Sequence, residues 1–369
     1  MDKNNGAIYD ARKLGKPKMI ILGIQHMFAM FGATILVPIL TGLDISTTLL
    51  MAGLGTLLFH CITKFKVPAF LGSSFAFLGG YAAIKAFSPN DPNSMLPYAC
   101  LGVACAGLIY FILAAVIKAV GIEKVMRFFP PVVTGPIIIA IGLGLAPSAV
   151  SNCTTNWFLA VVALAVIVVF NIWGKGMAKI IPIILGLLIS YGTGLVLYFI
   201  SQANPDLIQN VPWLFSGGAD ANGVYQPIFD FTSLNTICDN ISKGHIFGSE
   251  GLIGIPIHWD KTVFGGIDYS NGALIASSII AIVPIAFATM MEHIGDICAI
   301  SSTTGNNYIK DPGLHRTLVG DGLATTLASL FGGPANTTYG ENTGVLALTR
   351  VYDPRVIRIA AYFAVAVSF

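Results

Sequence analysis

Apolar residues in this chain come in long unbroken runs, separated by short polar stretches, with no alternation of the kind a strand would show. The runs predict spans near 19–40, 44–62, 67–88, 96–117, 129–147, 157–173 and 180–200. A polar segment follows over 201–270, and further spans are expected near 272–300, 314–332 and 334–349, with a last one beginning near 356. Most runs approach the roughly 20 residues that an α-helix needs to cross a bilayer. The pattern is that of an all-α polytopic membrane protein, of which the chain carries about 11 spans. Within the polar segment, pieces such as GVYQPIFDFTSL are turn-rich and alternating, and predict a small strand pair or a flap.

Composition narrows the class. Of 369 residues, 55% are hydrophobic and 10% charged, against about 25% charged in an ordinary soluble domain. The first 18 residues are polar and basic, and the apolar run after them is too long for a cleavable signal peptide. Six scattered cysteines lie mostly in or beside apolar runs and read as small hydrophobes. The net charge of +2 forms no basic patch beyond loop ends, so nucleic acid is not an expected partner. No zinc-like or haem-like spacing, phosphate-binding loop or nucleophile elbow occurs. The reading is therefore a non-enzyme with no cofactor and no metal.

Basic residues set the expected orientation. Lys3, Arg12, Lys13, Lys16 and Lys18 precede span one; Lys64 and Lys66 follow span two; Lys118, Lys124 and Arg127 follow span four; Lys175 and Lys179 follow span six. The alternate loops are nearly free of them. The positive-inside rule puts the N-terminus in the cytoplasm and segment 201–270 outside.

Two echoes suggest an internal repeat. Gln25–His26 in span one is matched by Glu292–His293 in span eight, 267 residues later, and Pro68–Ala69 by Pro334–Ala335, 266 residues later. Seven spans per unit would insert the second copy upside down, the inverted-repeat plan of many secondary transporters. A second unit of equal length would run beyond residue 369, so about three spans are expected to be missing from this chain.

Polar chemistry concentrates in spans one, three, eight and ten. Spans three and ten open with a proline and then small residues: Gly72, Ser73 and Ser74 in one, Thr337, Thr338, Tyr339 and Gly340 in the other. Proline removes a backbone donor and glycine weakens the helix. Non-helical backbone at membrane depth survives only where protein buries it or water reaches it. The two breaks are expected to form short strands that pair, leaving half-helix N-termini at a cavity. A planar heterocycle with alternating C=O and N–H groups suits such edges. Glu341, at a half-helix start, and Glu292 are each placed to accept ligand N–H groups; the competing readings are a helix cap and a structural salt bridge. A carboxylate at bilayer depth costs several kcal/mol unless paired, protonated or facing a polar cavity. Asp296 lies one helical turn after Glu292, and the two acids suggest a shared proton. His26 is read equally as a packed or a titrating group, Asp321 as packing or coupling, and His60 as interfacial. Phe75 and Tyr339 are candidates to stack on a flat ligand.

These residues resemble the nucleobase–ascorbate transporter family (nucleobase:cation symporter 2), and its bacterial uracil permeases in particular. The resemblance covers essentially all of the chain and rests on Gln25–His26, PAFLGSSFAF at 68–77, MEHIGD at 291–296 and NTTYGENTGVLALTR at 336–350. The last fits the family pattern through Glu341, Asn342, Gly344, Thr349 and Arg350.

The resemblance implies a fourteen-span fold of two inverted seven-span repeats. Core-domain spans 1–4 fall at 19–120 and spans 8–11 at 271–369; gate-domain spans 5–7 fall at 121–200; 201–270 is extracellular or periplasmic, and gate spans 12–14 are absent. It further implies a homodimer in the bacterial cytoplasmic membrane. Substrate binding falls to Glu292 and Glu341 with backbone of Phe75, Tyr339 and Gly340, and Gln25, Ser73, Ser74, Thr338 and Asn342 support the site. Proton coupling falls to Glu292, Asp296 and His26. Glutamate rather than glutamine at 341 favours uracil over xanthine or urate. The best-known proton-coupled relative has histidine where this chain has Asp296, so its coupling details do not carry over directly. The expected function is proton-coupled uptake of uracil by alternating access. Another nucleobase, sodium as the coupling ion, and a passive channel stay open as alternatives.

Overall fold

A computed structural model describes residues 7–121, 149–175, 182–220, 222–232 and 253–369, with scattered positions between them. The span expected at 129–147 lies mostly outside the described residues. The chain forms two compact units, Met1–Ile139 with Ile255–Phe369, and Ala140–Gly254.

The first unit contains the helices α1 (Lys16–Thr41), α2 (Ile45–Ile62), α3 (Leu78–Lys85) and α4 (Leu96–Val120), with strand β1 (Leu71–Ser73) between α2 and α3. The second unit holds α5 (Trp157–Trp173), α6 (Pro182–Ala203) and the strands β2 (Ser216–Ala219) and β3 (Tyr225–Pro227), which pair antiparallel. The first unit then resumes with α7 (Gly272–Ile282), α8 (Ala286–Thr304), α9 (Leu314–Leu330), β4 (Asn336–Thr338), α10 (Gly340–Thr349) and α11 (Pro354–Val367). Among the described residues, five helical stretches are long and apolar enough to cross a membrane: Lys16–Thr41, Ile45–Ile62, Pro92–Val120, Leu185–Ala203 and Gly272–Thr304. This is an all-α polytopic membrane protein with short strands inserted.

Local chemistry sets the helix ends. Asp44 caps α2 by accepting from Thr47 N, Asn156 caps α5 through Leu159 N, and Asp353 caps α11 ahead of Pro354. Pro284 sits in the 3-10 turn that separates α7 from α8.

Inside the first unit, α9 is the buried centre. It packs against α4 on one side and α2 on another, and α11 packs against α1 and α2. The α4–α9 contact is close because glycines meet there. A Cβ on Gly107 would lie 2.7 Å from the Gly322 carbonyl, and one on Gly322 would lie 2.6 Å from the Gly107 carbonyl. Small residues that let backbones approach are how helices associate where apolar burial alone gives no preference. The unit's core includes Met30, Phe59, Phe70, Tyr81, Ile282 and Ile294.

His60, expected at an interface, is fully buried, and its Nε2 lies 2.9 Å from the Ala69 carbonyl. Lys64 and Phe65, both at positive φ, turn the chain sharply after α2, so that 66–74 runs back beside that helix and takes the histidine as a partner.

Candidate functional site: a strand crossing between half-helices

β1 and β4 pair antiparallel, with Leu71 opposite Thr338, Gly72 opposite Thr337 and Ser73 opposite Asn336. Ser74 N donates to the Ala335 carbonyl at 2.9 Å, and Tyr339 N to the Phe70 carbonyl at 3.0 Å, so the ladder extends past the three paired residues at both ends. A two-stranded ladder leaves its outer edges unpaired, and buried backbone groups need partners. Side chains of the surrounding helices supply several. Leu71 N donates to Thr56 Oγ1 at 2.9 Å, Thr325 Oγ1 donates to the Asn336 carbonyl, and Asn336 Nδ2 reaches the Met51 carbonyl at 2.9 Å. Ser73 Oγ donates to the Thr34 carbonyl at 3.1 Å.

Tyr339 locks the crossing from within. It is buried, and its hydroxyl donates to the Ser73 carbonyl at 2.9 Å with Thr34 Oγ1 at 3.2 Å. Its ring lies across Gly72, where an added Cβ would fall 2.6 Å from ring carbons. Glycine is what allows this approach. The side chain of Tyr339 thus ties β4 to β1.

A helix begins after each strand. Ser74 caps the turn Phe75–Phe77 that leads into α3, and Phe75 itself is half-buried. On the other side α10 starts at Gly340, directly after the extended Tyr339, with Glu341 in its first turn and no side-chain cap. Gly340 and Glu341 are both exposed. The first N–H groups of α10 have no intrahelical acceptor and favour an electron-rich partner.

α8 brings its acids to the same place. Asp296 Oδ2 accepts from Thr338 Oγ1 at 2.8 Å, and Asp296 Oδ1 lies 3.7 Å from where a Gly340 Cβ would stand. Glu292 is half-buried, and its Oε2 has no hydrogen-bond partner among the described residues. Glu292 and Asp296 are not hydrogen-bonded to one another; Thr338 holds Asp296 instead. His293 is fully buried, with Nδ1 3.3 Å from Thr338 Oγ1 and 3.5 Å from Asp321 Oδ1 on α9.

The α1 residues reach the far side of α10. Asn342 Nδ2 lies 3.2 Å from both His26 Nδ1 and the His26 carbonyl, and all of these atoms are buried. Gln25 is buried beside His26, with its Nε2 unpartnered. Three groupings result: Asp296 with Thr338 and Gly340, His26 with Asn342, and Ser73 with Tyr339.

The model of the Permease family, Xan_ur_permease, matches residues 17–369. The chain belongs to this permease family. It is 39% identical over 361 residues to the uracil permease of Bacillus caldolyticus, a match covering 95% of this chain and 71% of that protein. It is 37% identical over 368 residues to the probable uracil permease of Haemophilus influenzae, covering 97% and 75%. Among solved structures, the transmembrane domain of a cyanobacterium bicarbonate transporter, BicA, superposes with a TM-score of 0.53 at 14% identity, over 98% of this chain and 83% of that one. That last likeness is one of fold alone. Family membership makes the chain a transporter and not an enzyme.

The permease also carries site features that motif reading did not assemble. Asp321 and His293 meet only because α9 packs behind α8 at this level. Thr56 and Thr325 serve the strand backbone from two different helices, and Thr34 meets the Tyr339 hydroxyl from a third. Their signal in the sequence is a recurrence of threonine inside otherwise apolar spans, where a hydroxyl is useful only if a backbone group needs it.

Proposed function

We propose that this permease carries uracil across the bacterial cytoplasmic membrane by secondary active transport coupled to proton entry. The observation that carries the reading is the exposed start of α10, Gly340 and Glu341, set beside the acids of α8 at a strand crossing whose ladder is already satisfied. Uracil presents two N–H donors and two carbonyl acceptors around a flat ring. Glu341 accepts one N–H. Backbone at Phe75, Tyr339 and Gly340 forms the complementary edge, with the Tyr339 N–H already held by the Phe70 carbonyl, and Phe75 offers a ring face. Gln25, Ser73, Ser74, Thr338 and Asn342 hold this geometry.

The coupling follows from what a carboxyl can do in each protonation state. Ionised Glu292 only accepts hydrogen bonds; protonated, it donates one and accepts another, and so matches an adjacent C=O and N–H of uracil. The proton also removes a charge that would otherwise be occluded without a counter-ion. Substrate and proton therefore favour each other's binding, which is the thermodynamic requirement for coupling. Asp296 and His26 are the further groups assigned to proton handling.

The uracil permeases among the relatives support the substrate, and the family supports the transport mode. We place the N-terminus in the cytoplasm and assign 19–120 and 271–369 to the core domain and 121–200 to the gate domain. We also assign a fourteen-span inverted-repeat plan and a homodimer as the working assembly.

Proteoliposomes holding the full-length protein test this. An inward proton gradient should drive radiolabelled uracil above equilibrium, and excess unlabelled uracil should compete where xanthine does not. Accumulation driven by sodium alone would reassign the coupling ion, and entry without accumulation under either gradient would make the protein a passive channel.

A further inference from the structure

Behind the strand crossing lies a row of polar groups, all buried but the half-buried Asp296. It runs from Asp321 on α9, through His293 on α8 and Thr338 on β4, to Asp296 on α8. Asp321 and His293 are both fully buried. The Asp321 carboxylate is faced by the His293 ring, the Thr338 backbone N–H and the Tyr110 hydroxyl, while Nε2 of His293 has no hydrogen-bond partner among the described residues. Nδ1 of His293 is the atom that faces both neighbours, 3.3 Å from Thr338 Oγ1 and 3.5 Å from Asp321 Oδ1.

Hydrogen counting fixes the direction of the chain. Thr338 has one hydroxyl hydrogen, and its short 2.8 Å contact to a carboxylate oxygen of Asp296 uses it. The Thr338 oxygen is then free only to accept, so Nδ1 must be the donor. The other tautomer would put the hydrogen on Nε2, a buried position with no acceptor, which is costly. With the hydrogen on Nδ1, two acceptors are within reach. We propose that His293, held by Asp321, is a positioning residue that donates through Nδ1 to the Thr338 hydroxyl and so aims that hydroxyl at Asp296.

The consequence is a link between the substrate strand and the proton load on α8. When Asp296 takes a proton, its new O–H must find an acceptor. If Thr338 accepts it, the hydroxyl hydrogen turns toward His293 and meets the Nδ1 hydrogen head-on. The chain then either breaks or reverses, with His293 shifting its hydrogen to Nε2. Protonation at Asp296 is thus felt at Thr338, one residue before the Tyr339 that locks β4 to β1. The inference rests on the transport reading only for this consequence; the tautomer of His293 stands apart from it.

Among the described residues, other titratable groups lie near His293. They are Glu292 beside it on α8, Tyr110 on α4, whose hydroxyl donates to Thr289 Oγ1 at 2.6 Å, Glu341 on α10, and His60 next to the Phe59 ring that packs edge-on against the imidazole. None of these is hydrogen-bonded to Nδ1.

Two measurements test the proposal. Nitrogen-15 NMR of histidine-labelled full-length protein in nanodiscs reads the tautomer directly, and His293→Asn assigns its signal among the six histidines. At neutral pH the Nδ1–H form is expected; an Nε2–H signal overturns the inference whatever the protein transports. In uracil uptake against pH, Thr338→Val should move the half-maximal pH upward by about one unit, the size of one lost hydrogen bond to a charged group. His293→Leu, which leaves the bond to Asp296 but frees the hydroxyl to turn, should move it the same way by less. Thr338→Ser should restore the wild-type midpoint, a recovery that a loss of packing would not produce. Wild-type midpoints in both Thr338→Val and His293→Leu would overturn the proposal while leaving uracil transport in place. Absence of uracil uptake in the wild type would instead overturn the transport reading, with the tautomer still deciding the geometry.

Discussion

β1 and β4 each follow a proline, run extended through three paired residues and lead into a helix. Their surroundings differ. Around β1 the polar groups are neutral: Ser73 and Ser74 on the strand side, Thr34 and Thr56 on the neighbouring helices. Around β4 they are acidic: Glu341 follows the strand, and Glu292 and Asp296 face it from α8. The same contrast separates the echoed pairs, Gln25–His26 against Glu292–His293. In both pairs the histidine is buried, one bonded to Asn342 and the other beside Thr338. A shared backbone device thus serves two ends: the β1 side builds and braces the crossing, while the β4 side also supplies the groups that take up ligand and proton.

Removing an acid on the β4 side should have the largest effect. Glu341→Gln takes away a charge-assisted hydrogen bond of about 1.5–3 kcal/mol, or roughly 10–100-fold in uracil affinity. Glu292→Gln keeps one donor and one acceptor, as the protonated acid does, and should abolish the pH dependence of binding rather than binding itself. Binding isotherms on the purified protein check it. Thr56→Ser on the β1 side, which keeps the hydroxyl that holds Leu71 N, should cost less than about 5-fold in the same assay; equal losses from the two sides would erase the contrast. Gly72→Ala comes next. Its methyl meets the Tyr339 ring at 2.6 Å, and overpacking of this kind costs about 1–3 kcal/mol. A clear drop in melting temperature is expected, with weaker uptake because the crossing is displaced. Tyr339→Phe follows. It keeps the ring but leaves the Ser73 carbonyl short of a donor, a loss of about 1 kcal/mol that thermal unfolding in detergent can resolve.

The smallest effect belongs to a region outside the crossing. Asp10 bonds Arg12 in a two-point contact and also meets Arg355 at 3.0 Å, tying the N-terminal segment to α11. Hydrogen bonding by the Arg12 guanidinium holds its carboxyl well below the usual carboxylate range. A lowered folded value stabilises above the unfolded value of about 3.9 and is lost as pH falls through the folded one. Wild type and Asp10→Asn should therefore differ slightly in melting temperature at pH 7 and converge in strong acid. The pair is exposed and screened, so the difference at pH 7 should shrink with added salt. A difference as large as that of Gly72→Ala would mean that the N-terminal segment braces the crossing.

Much of this was readable in the chain. The run 157–173 coincides with α5, and the runs at 19–40 and 44–62 fall within two or three residues of α1 and α2. Long apolar runs with polar ends leave little choice of structure. Proline followed by small residues at 68–74 and 334–340 marked where helix gives way to strand, because a missing donor and weak helix formers act locally. The contacts of α9 were not readable. Asp321 looked like one acid among apolar residues, and nothing nearby in sequence names His293 as its neighbour. His60 was misplaced for the same reason: its partner is a carbonyl that only the turn at Lys64 and Phe65 brings back.

The central claim is that uracil and a proton enter together through the acids at this crossing. The direct test is proton movement evoked by substrate, with no gradient imposed. Proteoliposomes of the full-length protein, loaded with a pH-sensitive dye and clamped to zero membrane potential, are given external uracil. Acidification of the interior that scales with uracil entry, and is lost in Glu292→Gln, is the predicted result. Uracil entry with no change of internal pH would contradict the account.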